Sequence, residues 1–153
     1  MSAKGEDSKI PSILLGDTDL FFFFLRGGKL EDQAERVIAA AEEGHLTLRT
    51  SSEVYDDAIS AIRAGGGSLS IANDFVADMK SIPHLSLPMS AETAEKALEY
   101  YVTLGGRRRM SYFDSFHVAT ARRYDLPLLT SDRFIIENAK RFEIAAVDLS
   151  EWT

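Results

Sequence analysis

The chain has 153 residues, 45% of them hydrophobic, with no cysteine and a formal net charge of −7 at pH 7. That length supports a single domain over 10–153, behind a polar and flexible segment at 1–9, with a core that needs no disulfide or structural metal; thiol nucleophiles and thiolate metal sites are excluded outright. No apolar run approaches the roughly 20 residues of a membrane span, so a cytoplasmic protein without membrane contact is expected, and the negative charge argues against loose adhesion to nucleic acid.

The predicted elements alternate. Ile10 to Gly16 reads as a buried strand and Asp19 to Leu25 as a short, almost wholly apolar helix stopped by Gly27-Gly28. Lys29 to Glu43 sets Leu30, Ala34, Val37, Ile38 and Ala41 at helical spacing, and Gly44 fits its stop. A strand from His45 to Thr50 leads to helices at Ser51 to Ala64 and Ser68 to Lys80, separated by Gly65-Gly66-Gly67. A strand at His84 to Leu87 follows, then a helix from Ser90 to Leu104. Beyond Gly105-Gly106 come a helix Ser111 to Tyr124, a strand Leu126 to Thr130, a helix Arg133 to Arg141 and a strand Ile144 to Val147. Strands separated by helices imply an α/β fold: a central, mainly parallel sheet between helical layers, joined by right-handed crossovers.

Four apolar runs end in an acid. Ile13 to Gly16 leads to Asp17, Leu46 to Leu48 leads to Glu53, Met110 precedes Asp114, and Leu128 to Ser131 leads to Asp132. Each acid has a purely structural use. Asp17 and Asp132 suit helix N-caps, while Thr50 to Glu53 and Ser111 to Asp114 have capping-box layouts. Their joint placement points further, because a parallel sheet gathers all four at one edge, where open α/β folds bind ligands. Asp114 also shares a helical face with His117, Val118 and Ala121, which turns it toward the interior. Crowded carboxylates raise one another's pKa and stay ionised together only beside a cation. Oxygen ligands without cysteine select Mg²⁺ or Mn²⁺.

Charge is unevenly spread. Between Gly105 and Arg133, six arginines stand against Asp114, Asp125 and Asp132, a net +3, which leaves −10 for the rest of the −7 chain. Arg107, Arg108 and Arg109 are therefore candidate phosphate contacts, set against the plainer reading of a solvated charged loop. His117 reads as a core histidine, Phe21 to Phe24 as core, and His45 and His84 carry no assigned role.

The strand before Asp17-Thr18, Glu53 after Thr50-Ser51-Ser52, the run Ser111-Tyr112-Phe113-Asp114-Ser115-Phe116-His117-Val118-Ala119-Thr120-Ala121, and Leu126-Pro127-Leu128-Leu129-Thr130-Ser131-Asp132 together resemble a PIN domain, over about Leu14 to Val147. The likeness is to the small VapC-type toxins. It implies a three-layer PIN-like fold, Mg²⁺- or Mn²⁺-dependent endoribonuclease activity on RNA, a cognate antitoxin, and an acidic quartet of Asp17, Glu53, Asp114 and Asp132, with Thr130 or Ser131 as a hydroxyl near the metal. Within that quartet, Asp17 and Asp114 are expected to bind metal directly, Asp132 directly or through water, and Glu53 to position water or a second ion. Two departures stand out: Asp19 replaces a small or amide residue, and Asp56 and Asp57 follow Glu53 within a turn and compete with it for the second position.

Two other functions fit parts of the chain. Asp17-Thr18-Asp19 mimics the nucleophile motif of a haloacid-dehalogenase-like phosphatase, with Asp17 attacking, although Phe21 stands where that motif has threonine. A non-catalytic RNA- or protein-binding module is the third reading. The apolar excess of the helices over 51–64 and 68–80, with the family resemblance, predicts a homodimer whose groove carries arginines from both chains.

Overall fold

The computed structural model describes residues 11–104 and 109–153; Arg107 and Arg108, and the segment 1–9, lie outside them. Five strands form the sheet: β1 (Ile13–Gly16), β2 (Thr47–Ser51), β3 (Leu85–Leu87), β4 (Leu128–Thr130) and β5 (Ala146–Asp148). They run in the order β3-β2-β1-β4-β5, every pairing parallel. Helices α1 (Thr18–Arg26) and α2 (Glu31–Glu42) connect β1 to β2, and α3 (Val54–Ala64) and α4 (Leu69–Lys80) connect β2 to β3. The chain then crosses the sheet through α5 (Ala91–Leu104) and α6 (Tyr112–Tyr124) to reach β4, and α7 (Arg133–Glu137) and α8 (Ala139–Phe142) lead to β5.

Strand alternation divides the core into two layers. Leu14, Leu48 and Leu129 face one side and pack against α1 to α4, through residues such as Phe21, Val37, Ala58 and Met79. Leu15 and Leu128 face the other and meet Ala97 and Tyr100 of α5, Val118 and Ala121 of α6, Ile135 of α7 and Phe142 of α8. This is the three-layer arrangement expected. α6 is the most enclosed helix, with Ser115 through Ala121 all buried. From β1 the chain proceeds toward β2, whereas from β4 it proceeds toward β5, so the strand order reverses between β1 and β4. The crevice at their carboxyl ends is the switch point where open α/β sheets bind ligands.

Two boundaries differ from expectation for local reasons. The helix expected over 133–141 breaks at Asn138, whose side-chain amide donates to the Phe134 carbonyl at 2.8 Å and ends α7. The helix expected from Ser51 starts at Val54, because β2 continues through Ser51. Glu53 is thus the N-cap residue of α3 with no side-chain cap bond, and the capping box expected over 50–53 does not form. Of the four phenylalanines, Phe21 is fully buried and Phe22, Phe23 and Phe24 are partly so; Phe22 stacks on Phe75 with the Arg26 guanidinium over both rings.

Candidate functional site

β1 delivers Asp17 directly into the switch-point crevice. Gly16 allows this close approach: a Cβ there would lie 3.0 Å from Leu20 Cδ2 and 3.2 Å from Leu48 Cδ1, so a bare backbone lets α1 fold down tightly after the strand. Asp17 is 3% exposed, and although it occupies the N-cap position of α1 its side chain makes no cap bond. Its Oδ2 accepts a hydrogen bond from the Thr130 hydroxyl at 2.6 Å, while its Oδ1 is buried with no partner. A buried carboxylate oxygen left bare costs several kcal/mol in a finished protein, so the orphan oxygen points to a missing ligand.

β4 supplies the neighbouring groups. Thr130 Oγ1 donates to Asp17 and accepts from the Asp132 N–H at 3.1 Å, tying the first and fourth motifs through one hydroxyl. Asp132 Oδ1 accepts from the Ile135 N–H at 3.0 Å, so this residue caps α7 as its position suggested while standing in the cluster. From α6, Asp114 arrives one turn inside the helix, its N–H bonded to the N-cap Ser111 Oγ at 3.1 Å. The amino end of α6 therefore adds partial positive charge beside it.

The fourth carboxylate in contact with the cluster comes from α3, and it is Asp57. Its Oδ2 accepts from the Thr18 hydroxyl at 2.5 Å and pairs with His117 Nε2 at 3.0 Å. Ligand atoms of Asp57, Asp114 and His117 all lie within 4.8 Å of one another. Glu53 stands at the helix entrance, half-buried, where its backbone N–H donates to Ser51 Oγ at 3.2 Å. Ser131 is half-buried next to the hydroxyl that does bond, and Arg109 is exposed. Of the acids near the start of α3, it is Asp57, one turn on from Glu53, whose carboxylate bonds Thr18 and His117. His117, expected in the core, is fully buried yet belongs to this network; its only sequence signal was the shared helical face with Asp114. His84, bonded to Tyr55, and His45, beside Glu43, lie elsewhere.

Electrostatics follow from the crowding. Burial pushes the Asp17 carboxyl well above the usual range, and the charges of Asp19 and Asp114 push it further, against the Thr130 hydrogen bond and the approach of the Leu20 backbone N–H, which is too loose to count as a cap bond. Asp114 is raised to about 6, chiefly by burial and also by Asp132 and Asp57, with His117 and Ser111 pulling the other way. Asp19, at the exposed mouth, is raised by partial loss of water and by Asp57 and Asp132. Such a site is unstable as a bare set of anions. Oxygen donors with one imidazole suit a hard divalent cation, and a cation against Asp17 Oδ1 satisfies the orphan and lowers all three pKa values together.

The family model for the PIN domain matches residues 14–141. The chain belongs to the PIN domain family. This PIN domain is similar in fold to solved structures at low sequence identity. One is VapBC2 from Rickettsia felis, described bound to a DNA fragment from its promoter: TM-score 0.63, 14% identity, covering 89% of this chain and 98% of that one. Another is VapC20 from Mycobacterium tuberculosis, described as a sarcin-ricin loop cleaving toxin: TM-score 0.57, 20% identity, covering 76% and 87%. A third is a toxin-antitoxin complex from Klebsiella pneumoniae: TM-score 0.55, 15% identity, covering 89% and 97%. A search of curated protein sequences finds no significant match. Family membership sets aside the haloacid-dehalogenase-like reading of Asp17. No helix among the described residues is long and apolar enough to cross a membrane.

Proposed function

We propose that this PIN domain is a metal-dependent endoribonuclease, the toxin of a toxin-antitoxin pair, acting on RNA in the cytoplasm with Mg²⁺ or Mn²⁺ in the acidic crevice. The observation that carries the reading is Asp17: a buried carboxylate with one unpartnered oxygen at the sheet's switch point, its pKa raised further by the charge of Asp114. When bound, the cation supplies charge neutralisation for a phosphodiester and acidifies a water for in-line attack. Asp17 and Asp114 are the direct ligands in this reading. Asp132, with one oxygen committed to capping α7, takes the direct or water-mediated position. Thr130 holds the Asp17 carboxylate, and the amino end of α6 favours phosphate oxygens. For the second motif we assign Asp57, with Glu53 as the competing residue.

The toxin and antitoxin assignment is supported by the structural neighbours, which include toxins and toxin-antitoxin complexes. A homodimer is part of the proposal: α4 presents Leu69 at 66% exposure and Ile71 at 47%, apolar surface that a second copy covers. Light scattering at micromolar concentration is expected to give twice the 16.9 kDa protomer mass. The deciding experiment incubates the protein with single-stranded RNAs, with Mn²⁺ or with EDTA, beside a small phosphate ester. Cleavage of RNA alone, abolished by EDTA, supports the nuclease. RNA binding without cleavage under any metal condition transfers the protein to the non-catalytic reading.

A further inference from the structure

We propose that His117 is the positioning residue of the acidic cluster, a buried imidazole whose Nε2–H holds the Asp57 carboxylate toward Asp114. The inference rests on the metal-site reading above and deepens it. Three bonds define the ring's place. Nδ1 lies 2.8 Å from Ser51 Oγ, Nε2 lies 3.0 Å from Asp57 Oδ2, and Nε2 lies 3.1 Å from Thr18 Oγ1. An ionised carboxylate only accepts, so the hydrogen between Nε2 and Asp57 belongs to the ring. An unprotonated Nε2 would face the carboxylate lone pairs at 3.0 Å, acceptor against acceptor. Ser51 Oγ, which accepts from the Glu53 N–H at 3.2 Å, anchors the far side of the ring at 2.8 Å from Nδ1.

The resulting chain of hydrogen bonds runs from the end of β2 through the ring to α3. Thr18, one residue after Asp17, donates to the same Asp57 oxygen at 2.5 Å. Asp57 Oδ2 is thus held by two donors, while Oδ1 accepts no hydrogen bond among the described residues and is the oxygen available to a cation or its water. His117 lies within reach of that cation's ligands, yet its own nitrogen is committed, so it acts through Asp57. Outer groups of this kind set ligand orientation and basicity, and their loss costs about 10–100-fold in metal affinity.

The test uses the full chain. On metal-free, ¹⁵N-histidine-labelled protein, long-range ¹H–¹⁵N spectra are expected to show a protonated Nε2 for the signal lost in His117→Gln. Mn²⁺ titration by calorimetry and electron paramagnetic resonance then compares variants. His117→Leu, which keeps bulk and loses the donor, is expected to weaken Mn²⁺ binding at least about tenfold. His117→Gln, whose amide reaches the Nε2 position, should restore affinity to within a few-fold of wild type. A bare Nε2, equal Mn²⁺ affinity in folded His117→Leu, or nitrogen hyperfine coupling to bound Mn²⁺ that vanishes with the ring would each overturn the positioning role. If His117→Leu does not fold, Ser51→Ala takes its place: it keeps the ring and frees Nδ1, and unchanged Mn²⁺ affinity there counts against the proposal. Failure of wild type to bind Mn²⁺ at all refutes the nuclease reading instead, and the metal-free Nε2 measurement still decides the ring's part.

Discussion

Replacing Asp114 by asparagine is expected to stabilise the metal-free protein while removing the proposed nuclease activity. The carboxyl is raised from 3.8 to about 6, first by burial and then by Asp132 and Asp57. At about 1.4 kcal/mol per tenfold change in proton affinity, ionising it inside the fold costs about 3 kcal/mol at pH 7.5. Because the folded-state pKa is the raised one, the cost is fully present above about 6 and is withdrawn as pH falls toward 3.8; at pH 5 about half of it remains. The amide keeps the shape and carries no charge. For a protein of this size 1 kcal/mol moves Tm by about 2–4 °C, so an increase of roughly 6–12 °C is the upper bound, reduced by whatever hydrogen bonding the amide leaves unmet. Calorimetry in EDTA at both pH values measures the gap. Added Mn²⁺ should reverse the ranking, raising Tm of wild type and not of the variant. A variant no more stable than wild type at pH 7.5, or a gap that does not narrow at pH 5, refutes the repulsion argument; undiminished RNA cleavage by the folded variant refutes the ligand assignment.

Asp57→Asn is expected to cut RNA cleavage at least about a hundredfold and Glu53→Gln by less than about tenfold, in single-turnover assays; the opposite ranking returns the second motif to Glu53. Thr50 is wholly buried with its hydroxyl unpartnered, on the same face of β2 as Leu48, so Thr50→Val should raise stability by about 1 kcal/mol in urea titrations, and a loss would reveal a hidden partner for that hydroxyl. Replacing Arg107, Arg108 and Arg109 together by alanine should weaken RNA binding and flatten its salt dependence by up to about three counterions, while cleavage of a dinucleotide changes little; an unaltered salt slope makes the loop a solvated surface.

The layer order was legible, and Asp17, Asp114 and Asp132 stood out as candidates, because their signals are local. A buried strand ending in Asp17, a cap serine three residues before Asp114, and Thr130-Ser131-Asp132 before a helix each report their own surroundings. Asp57 was ambiguous because two acids a turn apart differ only in where the helix begins, and that was set by β2 extending through Ser51 to pair with β3. His117 was read as core because its partners lie 60, 66 and 99 residues away in the chain. The break at Asn138 was missed for a related reason: an asparagine that turns back on its own backbone mimics a helix interior in sequence.

The hydrogen bonds around Thr130 bear on when the acidic crevice is complete. β1 lies between β2 and β4 and is made before either, but Thr130, the group that holds Asp17, is separated from it by 113 positions. Until β4 has been synthesised and inserted, β1 has an open edge and Asp17 lacks both its hydroxyl and the neighbouring Asp132. α3 and α4 can pack early, yet the crevice has only one wall. A chain still being translated therefore carries an incomplete acidic crevice until β4 has been made, 113 positions after Asp17.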